Sequence, residues 1–343
     1  MTEIRYEIRA VVREDGERLH TLAKFLDSVN LPDDSDEIAL VAAASEKAFS
    51  GEAIDPPHRQ YVFVIFDLEA DRAVGTSMIL GQLGRRDAPY IYFDVLTEEK
   101  YSPTFDRHFK HPVLSIGYSF DGPTEIGGLV MDPAYRREEE KLGLLISYVR
   151  FLFIATHRDA FRDQLLAELM PPLEEDGRSL LWQAVGHHFT GLTYREADRL
   201  SKSNKEFIRA LFPDGDIYAS LLPKEAQAVI GEVGRETRGV KKMLKRIGFR
   251  YAKRVDPFDG GPHFVAHTDD VVLVQRTVSA RVAIGDPTGH PRSLVAREYP
   301  DAPWFRAVAV PALVREGTVT LSETTTSHLG LAEGDVVLVL PVD

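Results

Sequence analysis

The sequence contains no cysteine. That excludes a disulfide framework, a thiolate nucleophile and zinc sites built on thiolates. It also lacks a membrane-length apolar run. The most hydrophobic stretch, residues 142–156, is too short to span a bilayer and contains Arg150; it reads as a helix buried on most sides. The start, Met1-Thr2-Glu3-Ile4-Arg5-Tyr6, has no apolar signal-peptide core, so the expected location is the cytoplasm. Positive charge is in deficit. The 41 Lys and Arg against 53 Asp and Glu leave a net charge of −12, which argues against nucleic acid as the main partner. Such a charge serves solubility and is compatible with a cationic substrate.

What is present is a chain of 343 residues, long enough for two or three domains, with 44% hydrophobic residues to fill a sizeable core. A strand is expected over 4–12, then helices over 15–27 and 37–49, where apolar residues recur at helical spacing. Tyr61-Val62-Phe63-Val64-Ile65-Phe66, a polar turn at 67–71 and a returning strand over 73–80 predict a hairpin. Further strands are expected at 90–95 and at 124–133, the latter stopped by Asp132-Pro133. A charged run, Arg136-Arg137-Glu138-Glu139-Glu140-Lys141, precedes the buried helix, and 165–170 is a strand ended by Pro171-Pro172. The order suits a mixed sheet with helices on its faces. Residues 181–189 and 243–251 share a pattern of helix, glycine and strand, with Gly186 and Gly248 at the helix ends. The tail reads as a small β-rich domain: a strand at 317–322, a short helix at 323–329, a turn at Gly334-Asp335 and a last strand at 336–342.

The unit from Glu125 to Arg150 resembles the acyl-CoA-binding core of GNAT-type N-acyltransferases. In that fold a strand splays from its neighbour and offers free backbone groups, here those of Leu129, Val130 and Met131, to pantetheine. The following loop and helix N-terminus, with Arg136, Arg137 and Gly143, then meet the CoA pyrophosphate. Ordered matches from residue 61 to residue 262 resemble the arginine N-succinyltransferase family more specifically. They include Leu129-x-x-Asp132-Pro133-x-Tyr135-Arg136, Leu144-Leu145-x-Ser147-x-x-Arg150-Phe151-Leu152-Phe153-Ile154-Ala155, and Trp182-x-x-x-Gly186. Others are Phe207-Ile208-x-x-Leu211-x-Pro213, Glu225-Ala226-Gln227-x-Val229-Ile230-Gly231, and Asp256-x-Phe258-Asp259-Gly260-Gly261-Pro262.

The resemblance implies a mixed α/β (α+β) fold with a GNAT-like acyl-CoA-binding domain over 1–172. A second GNAT-like, substrate-binding half is expected over 173–279 and a small C-terminal β-domain over 280–343. It implies transfer of succinyl from succinyl-CoA to the α-amino group of L-arginine or ornithine, with no metal. The chain is expected to form a homo-oligomer, or a hetero-oligomer with a related chain. The alternative is a weakly active or non-catalytic subunit that supports a catalytic paralogue. Because the α-ammonium is protonated near neutral pH, a base is required.

Glu125, ahead of the CoA strand, is the candidate base, with His187 and His188 as further candidates; the plainer readings are a solvated strand-end carboxylate and a helix C-terminus that favours protonated His. Asp256 and Asp259 either bind the guanidinium or cap the turn at Gly260-Gly261. His263 and His267 have no metal-ligand partners at convincing spacing. Three positions depart from the family pattern. The family's proton-donor histidine is Gly234 here, glutamates replace glycines in the 136–143 loop, and an N-terminal Gly-rich loop is reduced to Ser28-Val29-Asn30-Leu31-Pro32.

Overall fold

In a computed structural model of the chain, which describes residues 4–25, 30–52, 54–86, 88–202 and 204–342, strands form where β-branched and aromatic residues run together. In chain order the elements begin with β1 (Tyr6–Ala10), α1 (Gly16–Ala23), α2 (Ser35–Phe49), β2 (Gln60–Asp67) and β3 (Arg72–Leu80). Next come β4 (Tyr90–Ser102), β5 (Arg107–Ser119), β6 (Thr124–Met131), α3 (Leu142–Thr156) and β7 (Gln164–Glu168). A helical stretch follows: α4 (Leu180–Ala184), α5 (Gly186–Thr190), α6 (Tyr194–Ser201) and α7 (Glu206–Leu211). Then come β8 (Ile217–Tyr218), α8 (Lys224–Val229), α9 (Arg238–Arg246), β9 (Arg250–Val255) and β10 (Pro262–His267). The remainder is α10 (Val272–Arg276), β11 (Val278–Ile284), β12 (Arg292–Glu298), β13 (Phe305–Pro311), β14 (Leu313–Arg315), β15 (Thr318–Leu321), α11 (Glu323–His328) and β16 (Val336–Pro341). Of the reduced N-terminal loop, Ser28 and Val29 lie outside the described residues, as do the last two positions of the first expected helix.

The chain divides into two compact units, each assembled from separate stretches: residues 1–82, 126–163 and 268–343, and residues 83–125 and 164–267. This differs from three consecutive domains at 1–172, 173–279 and 280–343. The reason lies in strand pairing. In the first unit the strand order is β14-β15-β11-β16-β12-β13-β1-β2-β3-β6. Strand β13 pairs antiparallel with β1 through Ile8↔Ala307 and Arg9↔Arg306, so the tail completes the N-terminal sheet. Glu7 on β1 reinforces the join, accepting hydrogen bonds from Arg306 Nη2 at 2.6 Å and from His328 Nε2 at 2.6 Å. Amphipathic α1 and α2 bury Leu19, Leu22, Ile38 and Ala42 with Val62, Val64 and Phe66 of β2. Helix α3 is apolar almost all round, and Phe153 packs edge-on against Phe63 and Phe305.

The second unit has the order β7-β10-β9-β4-β5-β8, and β7 also takes a short parallel pairing with the start of β6, Thr124↔Leu165 and Glu125↔Leu166. Its core gathers Ile91, Phe93, Trp182, Phe212, Val255 and Phe258 under the short helices. One sequence expectation is extended here and another fails. Strand 90–95 is the root of a hairpin whose arms, β4 and β5, are 13 residues each and in unbroken register from Tyr90↔Ser119 to Ser102↔Arg107. Residues 181–189 hold no strand: α4 and α5 follow one another, and Gly186 packs under Trp182. Only the later copy of that pattern is helix, left-handed glycine (Gly248, φ 110) and strand, so the pattern does not repeat at residues 181–189. No helix among the described residues is long and apolar enough to cross a membrane.

Candidate functional site

The turn between β9 and β10 sits where the sequence placed its most distinctive motif. Asp256 Oδ1 accepts from the backbone N–H of Phe258 (2.6 Å) and Asp259 (3.3 Å), and Asp259 Oδ1 accepts from Gly261 N–H (2.7 Å). Both aspartates therefore cap the turn. Gly260 has φ 84, and a Cβ on Gly261 would stand 2.4 Å from the Leu169 carbonyl, so the Gly-Gly pair is required by the backbone. Trp182 stacks on Phe258 at 5.1 Å, and Ser179 Oγ donates to the Phe258 carbonyl at 2.8 Å, fixing the turn to the helical side of the unit.

Capping does not exhaust these carboxylates. They converge, with Glu125 of β6, on Glu168 at the end of β7. Burial pushes Glu168 well above the usual carboxylate range, the charges of Glu125, Asp256 and Asp259 push it further, and Lys205 opposes them. Burial and the Asp256 charge likewise raise Asp259, and burial raises Asp256. The Glu168 side chain nonetheless keeps 31% of its surface. Glu125 is 5% exposed and closed in.

Directly across from Glu168 in the β7–β10 register is His263, which is fully buried. Its Nδ1 lies 2.8 Å from the Tyr90 hydroxyl. Its Nε2 has no hydrogen-bond partner and faces Glu168 Oε1 at 3.5 Å. Burial, helped by Arg254 and Lys205, pushes its pKa down to about 3, so the ring is neutral. Asp256 also comes close to Glu168 and His263, a grouping that spacing along the sequence did not reveal. His267, by contrast, is exposed at the end of β10.

Of the sequence candidates, the structure thus brings together Glu125, Asp256 and Asp259. It leaves His187 and His188 out of that group. His187 Nδ1 donates to the Leu192 carbonyl (3.0 Å), which Trp182 Nε1 also contacts, and His188 is exposed on α5. Both are helix-end residues. Sequence reasoning missed Glu168 and His263. A lone carboxylate in the apolar run Leu165-Leu166-Ala167-Glu168-Leu169-Met170 was the available signal for the first; the second gains meaning only through cross-strand register.

In the first unit, Leu129, Val130 and Met131 lie on β6, and exposed Arg136 donates to the Met131 carbonyl at 3.3 Å. Arg137 is exposed. Helix α3 starts after Lys141 (φ 54) without a side-chain cap, and the N–H groups of Leu142 and Gly143 have no partner among the described residues. Two unsatisfied donors at a helix start suit an anion.

Gly234 donates to the Met170 carbonyl at 2.9 Å, and a Cβ there would stand 2.8 Å from the Pro171 carbonyl. The backbone at this position has no room for a side chain. Gly234→His is therefore expected to lower stability by about 1–3 kcal/mol, as overpacking does, and not to raise turnover; a urea titration alongside an activity assay checks both.

Residues 6–273 match the family model described as arginine N-succinyltransferase beta subunit. The arginine N-succinyltransferase of Yersinia pestis is 33% identical over 346 residues, covering 97% of each chain. The arginine N-succinyltransferase subunit beta of Pseudomonas aeruginosa is 33% identical over 340 residues, covering 98% of each. Among solved structures, the arginine/ornithine succinyltransferase subunit AI from Pseudomonas aeruginosa superposes with a TM-score of 0.84, at 28% identity and 99% coverage of both chains.

Proposed function

Because the chain belongs to the arginine N-succinyltransferase family, we propose that it transfers a succinyl group from succinyl-CoA to the α-amino group of L-arginine or ornithine. The observation that carries the choice of a cationic amino acid is the group of four carboxylates, Glu125, Glu168, Asp256 and Asp259, with Lys205 as the opposing charge. Crowded carboxylates repel one another, and a guanidinium or ammonium entering among them relieves that repulsion while gaining charge-assisted hydrogen bonds. Asp256 and Asp259 receive the side-chain cation, Asp256 with the oxygen not held by the turn and Asp259 beside the Tyr194 hydroxyl that hydrogen-bonds it.

The acyl-CoA lies along β6. Backbone groups of Leu129, Val130 and Met131 pair with the pantetheine amides, and one N–H of this strand receives the thioester oxygen as charge develops on it. The N–H groups of Leu142 and Gly143, with Arg136 and Arg137, take the pyrophosphate.

A free-thiol release assay tests the reading, and the absence of cysteine makes it clean, since the chain itself contributes no thiol. Succinyl-CoA with arginine or ornithine is expected to release CoA faster than acetyl-CoA with the same amines or succinyl-CoA with neutral amino acids. No release from any pair would favour the subunit reading, and calorimetry with CoA would then show whether even the acyl-carrier site is used.

A further inference from the structure

We propose, resting on the acyl-transfer reading above, that Glu168 accepts the proton of the substrate ammonium and that His263, oriented by Tyr90, positions the Glu168 carboxylate to do so. Three observations lead there. Glu168 is the most exposed of the four carboxylates, with 31% of its side chain accessible, while Asp256 and Asp259 are half-buried and Glu125 is buried at 5%. His263 stands directly opposite it in the strand register and turns its unpartnered Nε2 edge toward Oε1 at 3.5 Å. Tyr90 reaches Nδ1 from the other side of the ring at 2.8 Å. With an ionised carboxylate facing Nε2, the tautomer carrying hydrogen on Nε2 is favoured, and Nδ1 then accepts from the Tyr90 hydroxyl. The imidazole is held neutral by burial, so it orients Glu168 and does not compete with it for the proton.

The groups facing Glu168 set its basicity. Glu125 from β6, Asp256 and Asp259 from the β9–β10 turn and Tyr90 from β4 surround it, with Lys205 ahead of α7 opposing. Burial and three neighbouring negative charges raise the carboxyl well above its ordinary range, which makes its conjugate base a stronger proton acceptor. The step is R–NH3+ with the Glu168 carboxylate giving R–NH2 and the Glu168 acid. The amine lone pair then attacks the thioester carbonyl carbon, the C–N bond forms and the C–S bond breaks. A second nitrogen proton goes to the departing sulfur, and Glu168 returns its proton to solvent.

The experiment is a pH profile of kcat and of KM for arginine with saturating succinyl-CoA, run on the full chain and on variants. Glu168→Gln is expected to lower kcat by ~10²–10⁴-fold at neutral pH, with a smaller change in KM and partial recovery at high pH, where the amine deprotonates unaided. It removes one repelling charge, so a melting midpoint at or above wild type shows that the fold is kept. Glu168→Asp, which keeps the charge one carbon back, guards against misfolding and is expected to lose about tenfold or more.

Losing the Glu125 charge lowers the pKa of Glu168, so Glu125→Gln moves the acid limb of kcat toward lower pH and costs less in kcat than Glu168→Gln. His263→Gln places an amide N–H near the Nε2 position and is expected to keep more kcat than His263→Leu. Unchanged kcat in Glu168→Gln at neutral pH overturns the proposal, and a full loss in Glu125→Gln alone assigns the base to Glu125 instead. Equal kcat in the two His263 variants removes the positioning role. Thiol release by the wild type stands or fails separately, so the acyl-transfer reading and this one are tested apart.

Discussion

Asp259→Asn is expected to raise KM for arginine by about 10- to 100-fold and to change kcat only a few-fold, because the proposed charge-assisted hydrogen bond to a bound cation would contribute about 1.5–3 kcal/mol to ground and transition state alike. The substitution separates the turn capping of this side chain from its proposed cation binding. An Asn carbonyl oxygen can still accept the Gly261 N–H that Asp259 Oδ1 holds at 2.7 Å, so the turn survives. What is lost is the negative charge, which burial and Asp256 already make costly. The substitution should therefore leave stability equal or improved at neutral pH. A group whose folded pKa is raised destabilises the folded state once pH exceeds its unfolded value, and Asn carries no such charge. Asp256→Asn is the companion. It keeps an acceptor for Phe258 and Asp259, and a rise in KM there identifies Asp256 as the second partner of the cation. If both variants bind arginine as the wild type does, turn capping is their whole role. Steady-state kinetics with arginine varied, and a melt of each variant, decide the matter.

Arg306→Met is expected to destabilise the chain by about 3 kcal/mol, near the lower end for breaking a buried ion pair, since Arg306 keeps 25% of its side-chain surface. Its partner Glu7 is 8% exposed and would retain His328 as its other contact. Burial alone would raise Glu7, but hydrogen bonds from His328 and Arg306 outweigh it and hold the carboxyl below its ordinary 4.5. The sign follows from linkage. A depressed folded pKa contributes stability that is present above the unfolded value and lost as pH falls through the folded one. The wild-type advantage over Arg306→Met should therefore be full at neutral pH and shrink below about pH 4.5. Urea denaturation at neutral and acidic pH measures it; a gap that does not narrow with acid would remove the ion pair as the cause.

Helix α3 was legible because fifteen residues of apolar sequence bounded by Lys141 and His157 leave one local solution, and the β2–β3 hairpin because alternation and a polar turn are local signals. The β4–β5 arms were not, since Glu98, Glu99, Lys100, His108 and Lys110 lie on an exposed ribbon with no buried face to impose a pattern. The aspartates of the β9–β10 turn stood out as a motif, and Glu125 by its place at the start of β6.

The sequence by itself determined the absence of thiol chemistry, the identity of most elements and the motif residues that link the chain to its family, because each of these is written in composition or in neighbouring residues. Tertiary structure alone decided three things. It joined residues 278–341 to β1, it set His263 across from Glu168, and it surrounded Glu168 with carboxylates from β6 and the β9–β10 turn. The physical reason is common to all three. Strand edges and buried charges are satisfied by whichever partner folding brings alongside, and register between strands 95 residues apart, as at Glu168 and His263, leaves no trace in local sequence.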